Sequence, residues 1–227
     1  HLLKLINNVL DISKIEAGKM VLEPEDFDLK GLVETIGLMF ELQCQEKGLG
    51  WQLEGLAGER VLVRGDEDKL RQILINLLGN AAKFTQEGEV CLRVVSNEEH
   101  RYRFEVIDTG PGMSVEEQAG LFEAFQQGAA GLQQGGTGLG LTISQRHLTL
   151  MGSELEVESE LGKGSCLGFT VSLPPAESDV QSRDEQDWSR VVGLASGYSV
   201  KALVADDVVE NREILCGMLN DIGVEVA

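Results

Sequence analysis

The stretch from Leu70 to Thr85, LRQILINLLGNAAKFT, constrains the chain more than any other. Leu70, Ile73, Leu74, Leu77, Leu78 and Ala81 recur at helical spacing and form an apolar stripe. Asn76, Asn80 and Lys83 stand at i, i+4 and i+7, so they line up along a different face of the same helix. Two carboxamides and one cation over two turns suit a phosphate with a hard metal ion beside it: an amide oxygen ligates Mg²⁺, and an ammonium neutralises phosphate. The same pattern also fits an ordinary amphipathic surface helix. The stretch alone leaves both readings open.

The rest of the chain gives this helix a setting. Residues 1–17 read as a helix with two adjacent apolar rows, Leu2, Leu5, Val9, Ile12 and Leu3, Ile6, Leu10, as in a helix bundle. Residues 29–47 read as a second helix, with Leu32, Ile36, Met39, Phe40 and Gln43 in series and Gly48 ending it. Trp51 to Leu56 and Arg60 to Val63 read as strands, and Asp66 is an N-cap for the central helix. Val90 to Val95 and Tyr102 to Ile107 make a hairpin. Ser114 to Glu117 is a capping box opening a short helix through Phe125. A loop rich in Gly, Ala and Gln, expected to be mobile, leads to a helix running through Met151. Glu154 to Glu158 and Leu167 to Leu173 read as strands joined by the turn Gly162 to Ser165. Residues 176–199 read as a linker. Ser199 to Ala205 reads as a buried-type strand and Glu210 to Ile222 as an amphipathic helix, a β-α-β opening without the rest of its sheet.

Composition excludes some partners. Of 227 residues, 42% are hydrophobic, enough for a buried core, and the net charge is −19. A surface that acidic argues against nucleic acid or an anionic membrane as a general partner. Any triphosphate would need local positive charge, metal or helix N-termini. Cys44, Cys91, Cys166 and Cys216 are scattered, as expected of reduced, mostly buried thiols. There is no signal peptide and no membrane-spanning run. The chain begins at His1 and is read as a piece of a longer, cytoplasmic protein whose membrane part, if any, lies elsewhere.

Three glycine clusters flank the central helix. Asp108-Thr109-Gly110-Pro111-Gly112-Met113 follows the hairpin and on its own could be a surface turn. Gly136-Thr137-Gly138-Leu139-Gly140-Leu141 opens a helix. It fits helix packing, or an anion site where backbone N–H groups meet phosphate at the positive end of a helix. Gly162-Lys163-Gly164-Ser165 lacks the upstream glycine of a Walker-type loop and reads as a hairpin turn.

The order of the set is far more specific than any member. The polar-faced helix, DTGPGM, LFEAF, GGTGLGL and GKGS together resemble the ATP-binding domain of sensor histidine kinases, with its asparagine, phenylalanine and three glycine boxes. LINNVLDISKIEAGK resembles the second helix of the dimerisation and histidine-phosphotransfer domain that precedes it. KALVADDVVENREIL resembles the start of a receiver domain, as in hybrid kinases. ATPases of the gyrase, mismatch-repair and heat-shock chaperone type share the nucleotide fold but lack those flanking stretches.

The resemblance implies ATP and Mg²⁺ as cofactors and a role for each matched position. Asn80 supplies an oxygen to Mg²⁺, Lys83 contacts phosphate, and Asn76 sits where the family places a residue orienting the attacking histidine. Since an amide is a poor base, that role is positioning. Asp108 accepts the adenine amino hydrogen. Gly110 and Gly112 let the chain pass close to the base, with Met113 against it. Phe122 and Phe125 anchor one end of the lid, and Gln127 matches a glutamine of many hybrid kinases. Gly136, Thr137, Gly138, Leu139 and Gly140 present N–H groups to the phosphates, and Thr170 matches a position near the adenine. Implied partners are a histidine-bearing dimerisation helix, a receiver domain or response regulator, and a second copy of the parent.

Two departures matter. The segment between Phe125 and Gly136, QQGAAGLQQG, contains no Arg or Lys, where the family's lids usually carry cations. With the net charge of −19, this predicts weak ATP affinity or slow turnover. It also keeps open a non-catalytic nucleotide sensor or dimer scaffold. Second, no phosphoacceptor motif is present: His1 belongs to a second helix, His100 to a turn, and His147 to a helix, where it packs or is exposed. The expected architecture is a two-layer α/β sandwich, a mixed sheet with helices on one face, preceded by a bundle helix. The expected domains are 1–19 (dimerisation helix), 20–174 (ATP-binding), 175–199 (linker) and 200–227 (receiver start).

Overall fold

The computed structural model describes residues 20–56, 58, 60–97, 99–122, 139–177, 200–204, 216–217, 219–220 and 222–226. The helix expected over 1–17, residues 178–199 of the expected linker and Asp206-Asp207 fall outside them, as do Phe125, Gln127, Gly136, Thr137 and Gly138. The chain divides into two compact units, His1–Val180 and Gln181–Ala227.

The first unit opens with β1 (Glu25–Asp28), which pairs antiparallel with β3 (Leu62–Gly65). Between them run α1 (Leu29–Glu46) and β2 (Gly50–Gly55). Asp28 caps α1 by accepting from the Lys30 N–H. The helix buries Leu32, Val33, Ile36, Phe40 and Cys44, while Met39 is 46% exposed. Met39 was expected in the apolar series, but it lies on the outer side of the stripe with Leu38 and Leu42, and Cys44 takes the place expected for Gln43.

The central helix is α2 (Glu67–Phe84). Asp66 caps it, accepting from the Lys69 N–H at 3.0 Å. The whole predicted stripe is buried, from Leu70 at 0% exposure to Ala81 at 5%. Truncating one such leucine to alanine removes about 2–5 kcal/mol, so this face fixes the helix against the sheet. β4 (Glu89–Ser96) and β5 (Arg101–Asp108) form the expected hairpin. The capping box at Ser114 and Glu117 is present, but α3 (Val115–Ala119) stops well short of Phe125, with Gly120 at its end. α4 (Gly140–Leu150), β6 (Glu156–Glu160) and β7 (Gly164–Ser172) follow.

The main sheet has the order β2-β4-β5-β7-β6. β2 and β4 are parallel and the other pairs antiparallel, so the sheet is mixed as expected. Its inner face carries Val90, Leu92, Val94, Tyr102, Phe104, Val106, Leu167, Phe169 and Val171 against α1 and α2. Phe104 and Phe169 stack at 5.0 Å between centroids. The alternate residues face away, and charged side chains dominate the middle of that outer face. Glu54, Arg93, Glu105, Arg103 and Glu156 form a continuous chain of ion pairs across the sheet. Gly168 makes this possible, since a Cβ there would stand 3.1 Å from the Arg103 guanidinium as it crosses β7. After β7, the Pro174 carbonyl accepts from the Arg64 N–H and Ala176 donates to the Leu62 carbonyl, so residues just past β7 pair with β3.

In the second unit, β8 (Lys201–Ala202) pairs parallel with β9 (Glu225–Val226), and 216–217 and 219–220 are helical. The strand is shorter than expected and is not of buried type: Val200 is 42% and Leu203 81% exposed.

Candidate functional site

α2 carries Asn76, Asn80 and Lys83, all half-buried. The apolar stripe points into the core, so these three point away from it. Lys83 Nζ stands 5.0 Å above the Phe84 ring. Asn76 Nδ2 approaches the Gly140 carbonyl and the buried Ser144 hydroxyl of α4, each at a long 3.4 Å. A carbonyl only accepts, so this contact sets the amide with Nδ2 toward α4 and leaves Oδ1 for other partners. Leu139 precedes the first turn of α4. The residue is 1% exposed, so its side chain belongs to the interior and is not offered to a ligand.

Asp108 ends β5 on the helix-facing side of the sheet, 9% exposed. Its Oδ1 accepts from the Gly110 N–H at 2.8 Å. Burial pushes its pKa above the ordinary carboxylate value, and the Gly110 and Ser165 N–H groups partly offset this. Gly112 needs its bareness: at φ +67, a Cβ there would lie 2.0 Å from the Glu160 carbonyl oxygen. The turn rests on the β6–β7 hairpin. The Gly162 N–H donates to the Pro111 carbonyl, and the Met113 N–H donates to Ser159 Oγ.

The third glycine cluster is therefore more than a hairpin turn. Gly164 and Ser165 belong to β7, and a Cβ on Gly164 would stand 2.0 Å from the Asp108 carbonyl oxygen. Ser165 lies opposite Asp108 in the ladder and Ser159 opposite Ser165, their hydroxyls 3.0 Å apart. Asp108, Ser165 and Ser159 thus form one polar row on the inner face at the sheet's end. Sequence reasoning missed both serines. The signal was available for Ser165, which directly follows the glycines.

Thr170 is not brought to this site. It pairs with Arg103, five residues along β7 from Ser165, and alternation puts it on the outer face. The Thr170 expectation came from the resemblance, and the register of β7 turns that residue away from Asp108. Phe122, half-buried, packs on the core, and Thr142 of α4 donates to its carbonyl at 3.1 Å. His147 is 2% exposed, which selects packing over exposure, and His100 is an exposed turn residue at φ +56. All four cysteines are free thiols. Among the described residues no group of three His, Cys, Asp or Glu could hold a metal.

A mixed sheet backed by helices, with an asparagine-bearing helix between a buried aspartate turn and a glycine-opened helix, is the architecture of the histidine kinase-type ATPase fold. Residues 65–177 belong to the family described as "Histidine kinase-, DNA gyrase B-, and HSP90-like ATPase". The chain is 33% identical to the "Sensory/regulatory protein RpfC" of Xanthomonas campestris pv. campestris, over 99% of this chain and 35% of that protein. It is 40% identical to the "Circadian input-output histidine kinase CikA" of Synechococcus elongatus, over 100% of this chain and 29% of that protein. The chain thus spans about a third of the length of these curated relatives. Full-length ShkA, solved in complex with AMPPNP, superposes with a TM-score of 0.67 at 30% identity, covering 100% of this chain and 45% of that one. Among the described residues no helix is long and apolar enough to cross a membrane.

Proposed function

We propose that this module binds Mg-ATP between the Asp108 turn and the first turn of α4, and that the protein it belongs to passes the γ-phosphate to a histidine and then to an aspartate. The carrying observation is that the polar face of α2 bridges the two. Asn76 touches Gly140, and Thr85, at the other end, stands against Gly110. Asp108 takes the 6-amino hydrogen of adenine, with Gly110, Gly112 and Met113 beside the base. Lys83 and the backbone N–H groups opening α4 meet the phosphates. By sequence, Phe125, Gln127, Gly136, Thr137 and Gly138 extend that contact.

Asn80 contributes one oxygen to Mg²⁺. The donor set fits this ion, which keeps several waters and is held chiefly by substrate phosphates. Asn76 Oδ1 orients the incoming histidine. Positioning and charge neutralisation therefore carry the catalysis. The acceptor histidine sits on a dimerisation helix of the parent, residues 1–19 are the end of that domain, and 200–227 open a receiver domain reached through 175–199. The parent works as a homodimer on the cytoplasmic side, where ATP is found. The cation-free segment QQGAAGLQQG favours, as a second reading, a nucleotide-sensing or scaffold module without catalysis.

Thermal-shift assays with Mg-ATP test the site. The wild-type chain is expected to gain melting temperature, and Asn80→Ala and Asp108→Ala are expected to lose that gain. A wild-type chain that does not shift supports the scaffold reading.

A further inference from the structure

Thr85 follows the last turn of α2 and is 3% exposed. Its N–H bonds the Ala81 carbonyl in the usual helical way. Its hydroxyl is buried and has no hydrogen-bond partner among the described residues. A buried hydroxyl left unmade destabilises a folded chain, so its presence calls for a partner acquired in another state. The geometry names that partner. Oγ1 lies 3.2 Å, and Asp108 Oδ1 2.8 Å, from the one point a Cβ on Gly110 would occupy. Both oxygens therefore border the space that the bare glycine leaves. The hydroxyl is enclosed beside Gly110, next to the carboxylate proposed to take the adenine amino hydrogen.

We propose that Thr85 is a positioning residue for Asp108: when an adenine nucleotide binds, its hydroxyl donates to the Asp108 carboxylate, directly or through one bridging water, and fixes the oxygen that takes the 6-amino hydrogen. The proposal rests on the adenine-site reading above. Oδ1 already accepts from the Gly110 N–H, and a carboxylate oxygen has room for a second donor. Two donors on one carboxylate hold its plane, and with it the direction of the remaining lone pairs toward the base. One bridging water, or a movement of the Asp108–Gly112 turn on binding, would join the two groups.

The test uses the full chain with Thr85→Val, which keeps the shape and removes the hydroxyl, and Thr85→Ser, which keeps the hydroxyl. Binding of Mg-ADP and of the diphosphate of purine riboside, which lacks the 6-amino group, is measured by calorimetry, and melting is followed without nucleotide. Thr85→Val is expected to melt at or above the wild-type temperature yet bind Mg-ADP about tenfold more weakly. Thr85→Ser is expected to stay within about twofold of wild type, and all three proteins to bind the desamino nucleotide alike. The proposal is overturned if Thr85→Val binds Mg-ADP like wild type, loses equally on both nucleotides, or melts lower. It is equally overturned if Thr85→Ser loses as much as Thr85→Val. A wild-type chain that binds neither nucleotide removes the adenine site itself, and the proposal with it.

Discussion

At the scale of single residues, the Asp108 carboxyl holds the site's most unfavourable position. Burial raises its pKa because the charged form loses water, and two backbone N–H groups return only part of that. An acid raised on folding opposes folding above its folded pKa, and that opposition fades as pH falls toward the ordinary aspartate range of about 3.9. Asp108→Asn is therefore expected to raise the melting temperature of the nucleotide-free chain at neutral pH by a few degrees. The gain should narrow on acidification while adenine nucleotide binding is lost throughout. Melting curves across pH check this. Asp108 was legible only through the order of the family motifs, since DTGPGM alone reads equally well as a surface turn. Ser165 and Ser159 were not legible, since only strand register sets them beside it. Thr170 was misplaced for the same reason.

At the scale of elements, periodicity and capping proved reliable guides. The α2 stripe repeats every three or four residues and needs no partner to be recognised, and Asp66 announces its start. In the structure Asp66 does more than cap. Burial alone would raise its pKa, but the N–H groups of Glu23 and Lys69 and the Lys69 ammonium outweigh this and hold it below the ordinary value. Its stabilising effect is thus present above the unfolded pKa and lost as pH falls through the folded one. Asp66→Ala is expected to cost about 1–2 kcal/mol near neutral pH, read from urea unfolding, with a smaller difference in acid. The outer ion-pair chain was invisible in sequence because its members come from β2, β4, β5 and β6. Gly168→Val should displace the Arg103 guanidinium, break its link to Glu156 and destabilise by about 1 kcal/mol. Nucleotide affinity should stay unchanged, because the site lies on the other face. Loss of binding in that variant would place the site wrongly.

At the scale of the molecule, the site is a bridge between layers. α2 is packed on the sheet by its stripe, so its opposite face is presented to a turn at one end and to α4 at the other. The mixed sheet with helices on one face was expected from the resemblance to sensor histidine kinases, whose motifs stand in order along the chain. The short α3 and the thin β8–β9 pair were not, because boundaries depend on packing that local sequence does not record. The electrostatic balance is the remaining whole-molecule property. The net charge is −19, and Lys83 is the cation that α2 offers on its site face. A triphosphate approaching it meets repulsion at long range and few side-chain charges at short range.

Isothermal titration of the wild-type chain with Mg-ATP, alongside Lys83→Ala, tests the central claim directly. Measurable binding is expected with a dissociation constant weaker than low micromolar, and affinity about tenfold weaker again in Lys83→Ala. Low-micromolar or tighter binding, binding indifferent to Lys83, or no heat of binding at all would contradict that claim.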